Sequence, residues 1–578
     1  MLVTTLNWKQ RTTTNQVQGQ RPTRNCQRLC FKFGLDPPRR IISCATHEGN
    51  GLSLLNQRLA VFAEPANEKL TRIFKGLEKE SLRVTPEGTL AQTPHPRTLG
   101  SAMTHPSITT DFSEALLEFI TPPTESSQQM LDDLDRVQRF TYQQLENEHL
   151  WVASMPCMLN DDAQIPVGRY GSSNPGKMKT IYRLGLGERY GRSMQTIAGI
   201  HYNFSLGDDF WSFWHARENN NESLQAYKNR RYFDLIRNFR RNFWLLLYLF
   251  GASPAVCRSF VKHREHDLQP VEGDAHSMHK PFATSLRMGN LGYQSGAQDS
   301  LVVCYNNLDS YLSTLCGAIT QPHPDYVANG LKDEHGNYKQ LNTSLLQIEN
   351  EFYSTIRPKR TARSGETALG ALNDRGIEYI EVRCIDLNPY EPLGINLQQV
   401  EFLDVFLLHC LLSDSPETDN VQYRNAQENQ RRMVNLGRDP KTRLLSASGE
   451  LSILQWGNAL LDDMARVADI LDRSYDSRRY SEAVEAQRIK LTHPELTPSA
   501  RILADMNAHG ETFFRFAMNQ SLKHSQAYIE RPLSDDELLA MQREAEASLQ
   551  RVAELDAEPQ VDFEDYLRAY YAQYTCCQ

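Results

Sequence analysis

Residues 75–84 read KGLEKESLRV, a stretch that predicts a β-strand with two glutamates on one face. Because side chains alternate along a strand, Glu78 and Glu80 share their face with Leu82 and Val84. Like charges side by side on a face that ends in apolar residues indicate that the face is wet at one end or that a cation lies over it. The other strands of the chain decide between these two interpretations.

Four further segments alternate in the same way and predict strands at 115–121, 194–206, 344–353 and 377–387. In most of these strands one face is more apolar, and the other carries acids, amides or a histidine, namely Glu118, Gln195, His201, Asn203 and Glu381. An antiparallel sheet that buries one side and wets the other explains any single strand. Glu349 and Glu351 remain ambiguous by this test.

The polar positions on these strands include no lysine, so a concave surface built from them is strongly anionic. Carboxylates packed closely together are costly unless cations offset their charge. Oxygen ligands with an occasional imidazole suit Mg²⁺ or Mn²⁺. The pattern therefore predicts a site for divalent cations.

Protein-bound Mg²⁺ usually completes its ligand shell with substrate phosphates, so basic residues near the acids are candidate phosphate partners. These candidates are Arg287, Arg357, Lys359, Arg360 and Arg383. Each of them alone is more often a solvated or salt-bridged cation than a phosphate ligand. The chain has no GxxxxGK[ST] loop and no GxGxxG after a strand. If ATP binds, metals and arginines hold it rather than a glycine loop.

The spread of the strands among long helical patterns predicts an α+β fold with a mostly antiparallel sheet. The predicted helices cover 223–250, 396–412, 450–474 and 534–572. We expect one large domain over residues 53–578, with a helical C-terminal part. Residues 1–52 are basic and poor in acids, which predicts a flexible extension, or sequence upstream of the true start, rather than a transit peptide.

Composition excludes several classes of protein. The net charge of -9 argues against nucleic acid as the main ligand. The longest apolar run, 243–256, is too short to cross a bilayer and contains Gly and Pro, which indicates a buried helix end. The 11 cysteines are scattered and show no ligand spacing, so neither a disulfide framework nor a zinc site is predicted, and a reducing cytosol fits best.

Several long motifs carry a family resemblance. They are GLEKESLRV, GSAMTHPSITTDFSEALLEFITP, IYRLGLGERYG, MQTIAGIHYNFSL, YLFGASPAVC, FATSLRMGNLGY, LLQIENEFYSTIRPKR and RGIEYIEVRCIDLNP. Together and in this order they resemble the glutamate–cysteine ligase (γ-glutamylcysteine synthetase) family of the gammaproteobacterial type. The resemblance covers about residue 55 to the C-terminus, is looser in the last third, and does not include the first 50 residues.

The resemblance implies a glutamine-synthetase-like fold with a curved sheet around the active site. It implies that ATP and Mg²⁺ or Mn²⁺ support the joining of L-glutamate to L-cysteine, the first step of glutathione synthesis. The implied metal ligands are Glu78, Glu80, Asp111, Glu118, His201 and Glu381. The implied catalytic residues are Glu381 and Arg383, and Arg383, Arg357 and Lys359 are the candidates for binding the nucleotide.

The resemblance also implies substrate contacts near Tyr182, Gln195, Asn203, Arg287, Tyr293 and Tyr353. Arg287 is suited to the α-carboxylate of glutamate, and the tyrosines suit the wall of a cysteine pocket. We expect a cytoplasmic monomer that acts on small molecules, without nucleic acid or membrane as a partner. The sequence shows no obvious base for the incoming amine.

Three other interpretations remain open. A related carboxylate–amine ligase would keep the metal and ATP residues and differ only in its acceptor pocket. A glycoside hydrolase would need one acid and one base, rather than five acidic positions with arginines. A structural cation-binding protein without catalysis would not depend on Arg383.

Overall fold

The computed structural model describes residues 53–574, except 157, 160, 219–220, 263, 293–297 and 299–300. Its strands are β1 (Ile73–Val84), β2 (Ile108–Thr110), β3 (Leu116–Ile120), β4 (His149–Leu150), β5 (Ile200–Leu206), β6 (Ala255–Cys257), β7 (Gln269–Val271), β8 (Asp274–His279), β9 (Ile356–Lys359), β10 (Tyr379–Ile385), β11 (Arg443–Ser446) and β12 (Gly449–Ser452). Seven of them form the main sheet in the order β2-β3-β1-β5-β10-β9, with β4 also paired to β1.

Every pairing in the main sheet is antiparallel, which confirms the predicted α+β class. The 12-residue strand β1 lies between β3 and β5 and is buried almost throughout. Two smaller sheets, β6-β8-β7 and β11-β12, lie apart from the main one. The strand pattern of KGLEKESLRV thus marks the middle of the sheet.

Helices surround the sheet and make up the C-terminal part. They are α1 (Leu54–Val61), α2 (Ser127–Gln144), α3 (Asn174–Tyr190), α4 (Asp208–Arg217), α5 (Leu224–Asn242), α6 (Trp244–Phe250), α7 (Arg258–Val261), α8 (Leu308–Thr320), α9 (Pro324–Asn329), α10 (Ala368–Arg375), α11 (Leu397–Leu412), α12 (Asn420–Leu436), α13 (Ile453–Tyr475), α14 (Arg479–Thr492), α15 (Pro498–His509), α16 (Phe513–Ile529), α17 (Asp535–Ala557) and α18 (Phe563–Tyr571). One main hydrophobic core contains buried residues from both ends of the described chain, from Leu55 to Tyr574 in sequence. The single domain over 53–578 stays a prediction, and residues 1–52 lie outside the described part.

Helix α11 covers the back of the sheet, on the side opposite to Glu78. Lys75 of β1 forms an ion pair there with Asp404 of α11, and both side chains are 0% exposed. Tyr202 of β5 donates a hydrogen bond to the same carboxylate, with 2.5 Å between the oxygens. Two central strands are therefore tied to one helix through a buried acid, which leaves their other face for the polar side chains.

The prediction of a strand at 344–353 is wrong. Within this segment the structure has only an isolated bridge at Ser344 and a 3₁₀ turn at Glu349–Glu351. The apolar residues are buried as expected, but the backbone bonds locally, since Gln347 N–H donates to the Glu351 carboxylate at 2.6 Å. The Glu351 carboxylate thus accepts a backbone N–H that would bond to a neighbouring strand in a sheet.

Several predicted boundaries also differ. The segment 194–206 begins with a 3₁₀ turn and becomes a strand only at Ile200. The predicted helix 223–250 is two helices that meet at Phe243, and 534–572 is interrupted between Ala557 and Phe563. The helix predicted at 450–474 starts at Ile453, after strand β12.

Two further expectations concern disulfide bonds and helices that could cross a bilayer. Cys316 is disulfide-bonded, which the scatter of cysteines did not predict, whereas Cys257, Cys304, Cys384 and Cys410 are free. Among the helices of the described ranges, none combines the length and the apolar character that crossing a bilayer requires.

Candidate active site

Strand register brings the predicted acids together. Glu78 on β1 lies opposite His201 on β5, and Glu80 lies opposite Glu118 on β3. Directly opposed residues in an antiparallel pair have Cβ atoms about 5 Å apart. Four side chains from three strands therefore meet on one face of the sheet, the face that alternation in β1 assigned to Glu78 and Glu80.

His201 is the centre of this group. Its Nδ1 atom lies 3.1 Å from Glu78 Oε2 and 3.9 Å from Glu381 Oε1, and its Nε2 atom lies 3.8 Å from Glu80 Oε1. One ligand atom each from Glu78, His201 and Glu381 falls within 4.8 Å of the others. Such a set of carboxylate oxygens and one imidazole nitrogen suits a hard divalent cation.

Glu80 on β1 and Glu118 on β3 resist ionisation. Burial, with the neighbouring charges of Glu78 and Asp111, raises the pKa of Glu118 well above its ordinary value. Burial and the charge of Asp111 raise the pKa of Glu80 to about 8. Burial and crowded like charges both oppose ionisation here, and a bound cation would offset them, so the arrangement fits a divalent ion.

Cations gather at the other side of the site, on β10 and β9. Although burial opposes ionisation of Glu381, the nearby Lys359 and Arg383 hold the pKa of this carboxyl well below its ordinary value. Lys359 Nζ lies 3.4 Å from Glu381 Oε1, and Arg383 Nη1 lies 3.1 Å from Oε2. Glu381 Oε2 is buried and accepts no hydrogen bond with good geometry from a described residue. This carboxylate therefore stays charged and has a free lone pair for a metal ion.

Arg287 reaches the site because of a glycine. Its side chain is 2% exposed, and Nη2 donates to the backbone carbonyl of Arg383 at 2.9 Å. Any Cβ atom at Gly199 would overlap the guanidinium of Arg287. The glycine just before β5 thus leaves the space through which this arginine crosses the strand.

One face of α3 forms a further wall. Lys179, Tyr182, Arg183 and Leu186 line the cavity at the spacing of successive helical turns. Arg183 donates to the backbone carbonyls of Thr110 and Asp111, and so fixes the helix to the end of β2. Burial and the charge of Arg183 lower the pKa of Lys179 to about 7.

The loop at 347–353, which was predicted as a strand, forms the opposite wall. The Glu351 carboxylate accepts hydrogen bonds from Arg189 Nη1 at 2.8 Å and from Tyr190 Oη at 2.7 Å, so α3 holds the loop. Tyr353 Oη accepts a hydrogen bond from Gln195 Nε2 at 2.8 Å. The loop and α3 therefore place Tyr353 and Gln195 as one connected surface of the cavity.

The C-terminal segment anchors this loop from behind. Tyr574 Oη donates to Glu349 Oε2 at 2.5 Å, and Tyr571 Oη donates to the Gln347 carbonyl at 2.9 Å. The other oxygen of Glu349 accepts the backbone N–H of Ala368 at 2.5 Å, at the start of α10. Residues distant in sequence thus determine where the loop lies.

Most residues predicted from sequence line one cavity. These are Glu78, Glu80, Asp111, Glu118, Tyr182, Gln195, His201, Arg287, Tyr353, Arg357, Lys359, Glu381 and Arg383. Asn203 is fully buried beneath the cavity and donates to Glu78 Oε1 at 3.0 Å, so its substrate contact stays a prediction without support from its position. Tyr293 lies outside the described residues.

Arg357 and Arg360 are already engaged by protein groups. Arg357 Nη2 donates to the carbonyls of Asn350 and Phe352, and the Arg360 guanidinium donates to the carbonyl of Arg375. Arg357 still lines the cavity, whereas Arg360 is not among its lining residues. Arg357, Lys359 and Arg383 therefore remain candidates for meeting a phosphate in the cavity, whereas Arg360 does not.

Sequence reasoning missed part of the wall. The additional lining residues are Lys179, Arg183, Leu186, Met194, Ile197, Gly292, Asn350 and Glu351. The spacing i, i+4 of Lys179 and Arg183 was the one available signal, because it places both on one helix face. It did not indicate which way that face points.

Comparisons with known proteins agree on one family. A family model described as glutamate–cysteine ligase matches residues 59–433. A glutamate–cysteine ligase of Saccharophagus degradans is 53% identical over 509 residues, which cover 88% of this chain and 96% of that protein. One from Alcanivorax borkumensis is 50% identical over 522 residues, which cover 89% of this chain and 99% of that protein.

A solved structure agrees as well. The crystal structure of glutamate–cysteine ligase from Francisella tularensis in complex with AMP superposes with a TM-score of 0.82. It is 36% identical in sequence and covers 88% of this chain and 99% of that chain.

Proposed function

The chain belongs to the glutamate–cysteine ligase family, and on that premise we propose how the residues of its cavity carry out the reaction. The protein forms γ-glutamylcysteine from L-glutamate and L-cysteine with ATP as the energy source and a divalent metal. The assignment of individual residues to steps is our proposal. The observation that carries it is the convergence of acids and cations from four strands on a single cavity.

The chemistry proceeds in two steps. A carboxylate is a poor electrophile, so the γ-carboxylate of glutamate first takes the terminal phosphoryl group of ATP and ADP leaves. The amine of cysteine then attacks the acyl carbon of the γ-glutamyl phosphate, the C–O bond to phosphate breaks, and inorganic phosphate leaves with amide formation. In this second step the neutral amine gives up one proton, and the amide nitrogen keeps the other.

The acidic part of the cavity serves the nucleotide. Glu78, His201 and Glu381 would hold one divalent cation, and Glu80, Glu118 and Asp111 offer ligands for further ones. Bound cations supply positive charge that lets the anionic phosphates approach an anionic carboxylate. Two observations support this assignment: Glu381 Oε2 is buried and accepts no hydrogen bond with good geometry from a described residue, and the pKa values of Glu80 and Glu118 are raised.

The basic part stabilises the transferred phosphoryl group. We assign this role to Arg383, whose guanidinium is 3.1 Å from Glu381 and so lies at the boundary between acids and bases. A fixed guanidinium stabilises charge that develops on phosphoryl oxygens without reorganising during the reaction. Lys359 is a second phosphate contact, and Arg287 holds the α-carboxylate of glutamate.

The acceptor pocket lies between α3 and the loop at 347–353. Tyr182, Gln195 and Tyr353 are its proposed walls, and the hydrogen bond between the last two fixes their relative position. Aromatic walls suit a small amino acid that brings a polarisable thiol. We further propose that the protein works as a monomer, and in the cytoplasm, where a thiol substrate stays reduced.

The test replaces cysteine with hydroxylamine. Glutamate, ATP and Mg²⁺ should then give γ-glutamyl hydroxamate, and Glu381→Gln should abolish its formation without unfolding the protein. Glu87→Gln, at an exposed position just after β1, is the matched control and should retain activity. An active Glu381→Gln enzyme would remove this residue from the site. An amine that clearly outperforms cysteine in ADP release would change the assigned acceptor.

A further inference from the structure

Lys179 differs from the other cations of the cavity wall. Arg183, Arg357 and Lys359 each bind a carbonyl or carboxylate oxygen, and so do Arg287 and Arg383. Lys179 Nζ has no hydrogen-bond acceptor and no ion-pair partner within 4.0 Å among the described residues. Its side chain is nevertheless 9% exposed and lines the cavity.

An aromatic ring fixes the position of this lysine. Lys179 Nζ lies 4.4 Å from the centroid of the Tyr170 ring, and the guanidinium of Arg183 lies 4.5 Å from the same centroid. Tyr170 Oη is held by the carbonyls of Thr110 and Asp111, each at 2.9 Å. The ammonium group is therefore presented by a rigid support and is not a mobile surface charge.

The ammonium group borders the cavity without an anionic partner among the described residues, so an anion that enters the cavity stabilises it. The nearest acids that influence it are Glu118 and Asp111, and neither makes an ion pair with it. Both acids belong to the set that we assign to metal ions. The open side of Lys179 faces the cavity, which is where the anionic reactants bind.

Its place on the wall limits which reactant it meets. Lys179 lies one turn before Tyr182, a proposed wall of the acceptor pocket, and its charge acts on Glu118 of the acidic group. Lys179 therefore lies between the acidic group and the proposed acceptor pocket. The anionic oxygens expected at this place are those of the phosphoryl group on the glutamate side chain and those of the cysteine carboxylate.

We propose that Lys179 is a substrate-binding residue of the ligase reaction, whose Nζ donates a hydrogen bond to an anionic oxygen of a reactant. The inference rests on the proposed function of the cavity. It adds a contact that supports either the acyl phosphate or the carboxylate of the acceptor, and kinetics with two acceptors distinguish these sources.

The experiment compares Lys179→Met, Lys179→Arg and Lys177→Met with cysteine and with hydroxylamine as acceptors. Lys177 is exposed on the same helix and is the matched control. A charge-assisted hydrogen bond supports a loss of roughly 10- to 100-fold for Lys179→Met. A fall of kcat with both acceptors identifies the phosphoryl oxygen. A rise in KM for cysteine, with an unchanged hydroxylamine reaction, identifies the acceptor carboxylate.

Two results would overturn the proposal. One is Lys179→Met activity within twofold of Lys177→Met with both acceptors. The other is an equal loss in Lys179→Met and Lys179→Arg, because a retained charge should restore part of an anion contact, whereas a packing role gains nothing from it. Wild-type protein that forms no hydroxamate would instead refute the proposed function, so the two failures are distinguishable.

Discussion

The ion pair behind the sheet provides a quantitative test of how the site is supported. Lys75 and Asp404 are both 0% exposed, and Lys75 Nζ also donates to Ser127 Oγ at 3.0 Å. Asp404→Asn would leave the ammonium of Lys75 buried without a counter-charge. Breaking a buried pair in this way costs about 3–5 kcal/mol of unfolding free energy.

Removing both charges should cost much less. In Lys75→Met/Asp404→Leu no buried charge remains, and replacement of a buried pair by apolar groups is often neutral or stabilising. The hydroxyl of Tyr202 loses its acceptor, which costs about 1–3 kcal/mol. We therefore expect the double variant to be more stable than Asp404→Asn, with a coupling energy of several kcal/mol between the two positions.

Urea unfolding followed by tryptophan fluorescence measures these differences, with the slope m checked for constancy. The control is Asp469→Asn, which removes the partner of Arg473 in an exposed helical pair at 2.7 Å. This change should cost less than about 1 kcal/mol. If Asp404→Asn costs no more than this control, or if the losses measured for Lys75→Met alone and Asp404→Leu alone simply add in the double variant, the buried pair does not anchor β1 and β5 to α11.

Two further predictions concern the cavity wall and the edge strand β2. Tyr574→Phe removes the hydrogen bond to the buried Glu349 carboxylate, so it should lower the free energy of unfolding by roughly 1.5–3 kcal/mol. It should also raise KM for cysteine more than KM for ATP. Equal changes in both KM values would contradict this prediction. Burial lowers the pKa of His105 to about 4, and its Nδ1 accepts the N–H groups of Ser107 and Ile108, so the neutral ring is the folded form. The pKa of His105 in the folded protein lies below the unfolded value near 6.5. The neutral ring therefore contributes fully to the free energy of unfolding above pH 6.5, and this contribution falls by roughly 1.5 kcal/mol between pH 6.5 and 5. His105→Asn should flatten that slope in urea unfolding at both pH values, and an unchanged slope would contradict it.

Alternation along strands predicted the acidic half of the site because the sheet preserves that pattern. Glu78 and Glu80 share a face from sequence alone, and the register then determines only which neighbours they meet. His201 and Glu381 were found by the same test, since their strands are also half polar. Side chains that project from regular strands can be assigned to a face of the sheet with little information about tertiary packing.

The loop at 347–353 was not predictable in this way. Its apolar residues alternate as in a strand, but Gln347 bonds to the Glu351 carboxylate, and Glu351 is held by α3. Arg189 and Glu351 are more than 150 residues apart in sequence, so no local pattern indicates their contact. Lys179 is similar, because its helix face is evident but the direction of that face depends on packing.

The contact of Tyr574 with Glu349 has a consequence for synthesis on the ribosome. The two residues are 225 positions apart, and translation adds about 5–20 residues per second. The Glu349 carboxylate therefore waits roughly 10 to 45 seconds for its hydroxyl partner after it has emerged. By the end of that interval all seven strands of the main sheet have been synthesised, so the loop at 347–353 receives its C-terminal anchor later than the strands that carry the acids.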